Sequence, residues 1–202
     1  MFYGAIHEGY NTESTIVELA KEYIKNIFKD NQDGHDLSHT LRVYNNALKI
    51  AELEGVGNIE IISLGALLHD VDDYKLFNTV NNANARAFLN KYYKNPQDIE
   101  YIIEIINSVS FSKNRGKRPR TIDGKIVQDA DRIDGIGAIG IARTFLYNGK
   151  HGKGLQGAVQ HFYDKLLIIK GELNTNTAKK MAEKRHKCMV NFLKELDEEI
   201  GL

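Results

Sequence analysis

The sequence predicts an all-α domain, on three observations. Apolar side chains recur at three- and four-residue spacing through successive stretches, helix start and stop residues bracket those stretches, and no alternating run is long enough to make a strand. Ile16, Ala20, Tyr23, Ile24, Ile27 and Phe28 form the first stripe, opened by a capping-box pattern in Thr15-Ile16-Val17-Glu18. A second helix is expected from about Leu37, carrying Leu41, Tyr44, Ala47, Leu48 and Ala51 and stopping before Gly55, where a left-handed cap costs little. The third covers about Ile59 to Leu68 or beyond, and the fourth roughly Asn84 to Tyr93. Asn95-Pro96-Gln97-Asp98 opens a fifth, with a capping Asn, Pro at the first helical position and an acid in the first turn, before Ile99, Ile102, Ile103 and Ile106.

From Ser112 to Lys125 the pattern breaks. This segment carries six cations against one anion among turn-forming residues, and is expected to be an exposed basic loop. Helical texture resumes from about Ile126 to Tyr147. After a glycine-rich stretch from Gly149 to Gly157, two more helices are expected at Ala158 to Ile169 and Thr177 to Glu199. With no repeat or linker, residues 1–202 read as one compact domain, its core spanning about 15–147 and the C-terminal helices 158–199 packed on it.

Composition narrows the function. With 27 basic and 27 acidic side chains the net charge is zero, so no overall field draws the protein to nucleic acid or an anionic membrane, and a small substrate is the easier expectation. The single cysteine, Cys188, excludes an intramolecular disulfide and a multi-thiolate zinc site, which suits a reducing, cytoplasmic setting. Near Met189, Phe192 and Leu193, it is expected to be an inert packed thiol. The opening residues lack a basic segment followed by a long apolar one, and no stretch matches a membrane span, so a soluble protein is expected, as monomer or homodimer.

The chemistry concentrates at the end of the apolar run Ile61-Ile62-Ser63-Leu64-Gly65-Ala66-Leu67-Leu68, which finishes in His69-Asp70. An imidazole and a carboxylate at the end of a buried segment are costly to desolvate unless something binds them, and a metal ion is the leading candidate. His39 upstream and Asp129-Ala130-Asp131-Arg132 downstream complete the order H…HD…D. Neighbouring helices can bring such distant side chains into one interior space. Two imidazoles with two carboxylates suit Mn²⁺, Fe²⁺, Co²⁺, Ni²⁺ or Mg²⁺ more than zinc, and leave positions for water and substrate. A metal held this way lowers the pKa of bound water and polarises a phosphoryl oxygen, so phosphate-ester hydrolysis by attack of that water on phosphorus is the predicted chemistry.

In this order and on these helices, His39, His69-Asp70 and Asp131 resemble the HD-domain superfamily of metal-dependent phosphohydrolases. The surrounding text is similar to the small bacterial HD hydrolases: Gly34-His35-Asp36 before His39-Thr40-Leu41-Arg42-Val43, Leu67-Leu68-His69-Asp70-Val71-Asp72-Asp73-Tyr74-Lys75, and Val127-Gln128-Asp129-Ala130-Asp131-Arg132-Ile133-Asp134. Gly137 to Phe145 and the tail from His161 to His186 match that group too. The resemblance implies an all-helical fold with the metal between helices, and a nucleotide or related small phosphate compound as substrate, since some members are nucleotide phosphohydrolases or pyrophosphohydrolases. It also implies His39, four residues before Val43, as the first ligand in preference to His35, and Asp131 in preference to Asp129, which would then accept a hydrogen bond behind the ligands.

Asp72 and Asp73 follow the dyad. If the helix continues, Asp73 shares the face of His69, where a carboxylate could take a proton from water; otherwise both are solvated acids at a helix end. Lys75, Arg42 and Arg132 could neutralise phosphate oxygens or pair on the surface. The loop from Lys113 to Lys125, with Lys117, Arg118 and Arg120 at its centre, is either a lid over the phosphates or a solvated turn. It lacks the aromatic interleaving of a nucleic-acid groove. Tyr101, Phe111 and Tyr163 are expected in or near the core, and His7, His151, His161 and His186 as surface or structural residues. Two alternatives keep the same residues: a cyclic or linear phosphodiesterase, and a regulatory module that binds a nucleotide without turnover. A di-iron oxygenase would need more histidines, and none lies between residues 70 and 150.

Overall fold

A computed structural model of the chain describes residues 15–29 and 36–201. His7 and His35 lie outside the described residues. Among the described residues ten α-helices follow one another: α1 (Thr15–Ile27), α2 (Leu37–Glu54), α3 (Ile59–Leu68), α4 (Ala83–Tyr92), α5 (Pro96–Val109), the single turn α6 (Phe111–Asn114), α7 (Ile122–Asp134), α8 (Ala138–Lys150), α9 (Gly154–His161) and α10 (Asn176–Ile200). A π-turn over Phe162–Leu166 and a 3-10 turn over Ile169–Glu172 link the last two. The described residues contain no strand. None of their helices is long and apolar enough to cross a membrane.

Caps set the helices that carry the site. The Asp36 carboxylate accepts from the His39 amide at 2.8 Å, starting α2 and holding His39 in its first turn. Gly55, at φ +65°, closes α2 as the sequence predicts. Asn58 caps α3, and Asn95 caps α5 with Pro96 behind it. Residues 61–68 of α3 are all buried, so beyond its first two residues this helix has no solvent face and runs through the middle of the domain. Packed around it are α1, α2, α5 and α7. At Gly65 an added Cβ would lie 2.9 Å from Ile105 and 3.3 Å from Val127, so the missing side chain lets α5 and α7 approach α3 closely.

Several expectations need correction. The helix foreseen over 126–147 is two helices, because α7 ends at Gly135 and the chain turns at Gly137, φ +84°, against Arg185. The basic loop is shorter than the pattern suggested: α6 takes up residues 111–114, and Thr121 caps a helix that begins at Ile122. The segment foreseen over 158–169 starts at Gly154 and passes into the π-turn. Cys188 is exposed on α10 and not packed; the neighbouring Met189 faces the core instead. Asp129 does not stand behind a metal ligand. It is fully buried and accepts hydrogen bonds from the Asn174 and Thr175 amides and the Thr175 hydroxyl, fastening the start of α10 to α7.

Candidate metal centre

Three buried helix segments meet at one point. The first turn of α2 brings His39, the last residues after α3 bring His69 and Asp70, and the second half of α7 brings Asp131. His39 Nε2 lies 3.3 Å from His69 Nε2, 3.4 Å from an Asp70 oxygen and 3.4 Å from an Asp131 oxygen. His69 Nε2 lies 3.3 Å from the same Asp70 oxygen and 3.9 Å from Asp131. Donor atoms bound to one ion at about 2.0–2.2 Å are separated by about 3–4 Å, so this spacing suits a shared cation.

The ring protons decide what the pocket can hold. His39 Nδ1 is 2.7 Å from Asp134 and His69 Nδ1 is 2.8 Å from the Ala66 carbonyl oxygen. A carboxylate and a carbonyl only accept, so both neutral rings carry their proton on Nδ1 and turn the Nε2 lone pair inward. Two ring nitrogens and two carboxylate oxygens then converge on one point, an arrangement suited to a cation. A proton can play that part in its absence. Burial opposes charge on His39, yet the hydrogen bonds its ring donates to Asp131, Asp134 and Asp70 raise its pKa well above the ordinary value, and His69 is raised too, against its burial, by Asp70. Burial pushes Asp131 up, but the two histidines outweigh it and lower its pKa.

Asp134, which sequence reasoning missed, anchors the back of the site. It is 1 % exposed and accepts from His39, from Arg42 at 2.7 and 3.0 Å, and from Arg143 at 2.9 Å. Burial would raise its pKa, but His39 and Arg42 hold it far below the usual carboxylate range. Its place three residues after Asp131, on the same helix face, was a readable signal.

The four acceptors open into a cavity of about 430 Å³. Its other walls carry Lys75, Lys113, Arg143, Lys153, His161 and Lys165. Lys165 comes from the π-turn and rests over the Phe111 ring at 5.3 Å; among the described residues it has no carboxylate partner. Burial lowers its pKa, against the attraction of Asp131.

The family model for the HD domain matches residues 36–136, which span all four acceptors. The chain belongs to the HD-domain family. YpgQ of Bacillus subtilis is 39% identical over 192 residues, 91% of this chain and 93% of YpgQ. The crystal structure of Bacillus subtilis YpgQ in complex with ADP shares the fold at TM-score 0.79 and 34% identity, covering 91% of this chain and 94% of that one. An HD-superfamily hydrolase from Bacillus thuringiensis does so at TM-score 0.74 and 36% identity, over 92% and 96%.

Around the HD dyad the remaining sequence-predicted residues divide. Helix α3 stops at Leu68, and Asp73 is reached through turns, so it is not the helical neighbour of His69. Asp72 and Asp73 both line the cavity, but Asp72 gives both oxygens to the Asn84 and Ala85 amides at the start of α4. Asp73 accepts from the Lys75 amide with one oxygen. Arg42 is spent on Asp134. Arg132, 1 % exposed, donates to the carbonyls of Glu172 and Asn114 and so ties α6 and the 3-10 turn to α7. Lys75 is on the cavity wall, whereas Lys117, Arg118 and Arg120 are not. Tyr163 is 58 % exposed and not a core residue, and His161 stands on the cavity wall. Nothing local marked Lys165, because a π-turn has no sequence signature of its own.

Proposed function

We propose that the chain is a metal-dependent phosphohydrolase of nucleoside polyphosphates, in which His39, His69, Asp70 and Asp131 hold one divalent cation. The observation that carries this reading is the convergence of four acceptor atoms with both imidazole protons directed away. An ion of the Mn²⁺, Fe²⁺, Co²⁺, Ni²⁺ or Mg²⁺ class would supply Lewis acidity toward a phosphoryl oxygen and acidify a water.

The chain's own residues do the rest. Asp134, pinned by two arginines, keeps His39 in the tautomer that presents Nε2 to the site, and the Ala66 carbonyl does the same for His69. Asp73 is the proposed proton acceptor, since its companion Asp72 has both oxygens committed to backbone amides. Lys75, Lys153 and Lys165 offset phosphate charge along the walls. Lys165 is the chief of these, because a largely buried ammonium without a carboxylate is best satisfied by an anionic ligand.

So many cations beside one metal pocket suit a di- or triphosphate better than a monophosphate, and the ADP complex of Bacillus subtilis YpgQ supports a nucleotide. The test is turnover of nucleoside mono-, di- and triphosphates and cyclic dinucleotides with Mn²⁺ or Mg²⁺, with phosphate and pyrophosphate measured separately. Release of pyrophosphate and a monophosphate from triphosphates is the expected result. Saturable binding without product across several metals would instead establish a regulatory module.

A further inference from the structure

One part of the cavity wall has no role in holding metal or phosphate. Asn82, from the loop before α4, donates its amide to the Asn107 side-chain oxygen of α5 at 3.0 Å, and both line the cavity. Asn82 occupies the N-cap position of α4 but makes no side-chain cap bond. An Asn there ordinarily accepts from the first-turn amides. Asp72 performs that task in its place, from ten residues upstream, and the Asn82 side chain is released toward the cavity. The release has a cost: Asn81 and Asn82 are consecutive left-handed residues, at φ +55° and +54°. That backbone is disfavoured by about 1–2 kcal/mol per residue for most side chains, least for Asn. The Arg86 guanidinium holds it by donating to the Asn81 carbonyl at 2.9 Å while pairing with Glu100.

Once the two amides are bonded to each other, one carbonyl oxygen and one N–H₂ group remain free, whichever way each amide is turned. One acceptor and one donor are therefore left at the wall of a cavity that Ile106, Phe111 and the exposed ring of Tyr74 also line. Every nucleobase offers a donor beside an acceptor on one edge and an apolar face for packing; a phosphate offers neither.

We propose that the Asn82–Asn107 pair is a nucleobase subsite, holding the base edge-on while the metal centre and lysines take the phosphates. This rests on the nucleotide reading above. The test is calorimetric binding of ADP and of inorganic pyrophosphate to the Mn²⁺-supplemented protein, for the unaltered chain, Asn82→Gly and Asn107→Ala. Glycine accepts the positive φ at position 82, so Asn82→Gly should keep or raise the melting temperature while removing the amide. Each variant should bind ADP about three- to tenfold more weakly, the worth of one or two hydrogen bonds, with pyrophosphate unchanged. Equal weakening for both ligands, or no change for either, overturns the subsite. An unaltered protein that prefers ADP no more than pyrophosphate overturns it as well and leaves the phosphohydrolase reading standing, whereas one that binds neither overturns that reading and the subsite with it.

Discussion

Replacing Asp134 by Asn separates the support of the metal centre from its ligands. The carboxylate accepts from His39, twice from Arg42 and once from Arg143, and all of these partners are donors. An amide keeps one acceptor oxygen but turns an N–H₂ group toward at least one of them, and the negative charge is lost. Breaking a fully buried charge pair costs about 3–5 kcal/mol. The Arg42 and Arg143 side chains keep 35% and 24% exposure, so water can take them up in the variant, and about 2 kcal/mol is the discounted expectation. In a domain of this size that lowers the melting temperature by about 4–8 °C. The larger effect is expected on the metal, because His39 loses the acceptor that fixes its tautomer and its basicity: affinity should fall about 10- to 100-fold. Calorimetric titration with Mn²⁺, carried out well below the transition, reads affinity separately from stability. A variant that binds Mn²⁺ as tightly as the unaltered chain and melts at the same temperature refutes the reasoning.

The legible part of this chain was whatever local chemistry decides. Gly55, Asn95-Pro96 and the unbroken apolar run 61–68 act within one turn of the backbone, and their helices lie where the pattern puts them. His69-Asp70 was visible because polar residues bordering a buried helix need a partner, and His39 through the order in which it precedes that dyad and its resemblance to the HD pattern. What the pattern could not show depends on distant contacts. The break between α7 and α8 is enforced by the close approach of Arg185 to Gly137 and of Gly140 to the Gly135 carbonyl, neither of which periodicity reports. Asp129 and Asp131 look alike in sequence, yet one points at Thr175 and the other at His39, because helix positions i and i+2 are about 200° apart. Arg132 carries a charge and is nonetheless buried, since the carbonyls of Asn114 and Glu172 reach it from other elements.

The remaining predictions concern ligands, walls and protons. His69→Ala or Asp70→Ala should lose most bound metal and activity at nearly unchanged helical content by circular dichroism; retained metal in both would remove these residues from the site. His39→Ala should be severe and His35→Ala mild in the same metal assay, and the reverse order would exchange their roles. Lys165→Met should raise KM for a triphosphate more than for a monophosphate, while neutralising Lys117, Arg118 and Arg120 together should leave both unchanged, since those three lie off the cavity wall; a loop variant with the larger effect would restore the lid. Protons should compete with the metal, and the sign follows from His39 and His69. Their pKa values in the metal-free fold are raised above the ordinary 6.5, so their contribution to metal-free stability is fully present below 6.5 and is lost as pH rises through the raised values. Metal needs the same nitrogens deprotonated, so its binding releases protons and strengthens over that window. The rise in melting temperature on adding Mn²⁺ should therefore grow as pH increases from about 5.5 to 8, and a rise that stays constant across that range would show that no titrating imidazole faces the ion.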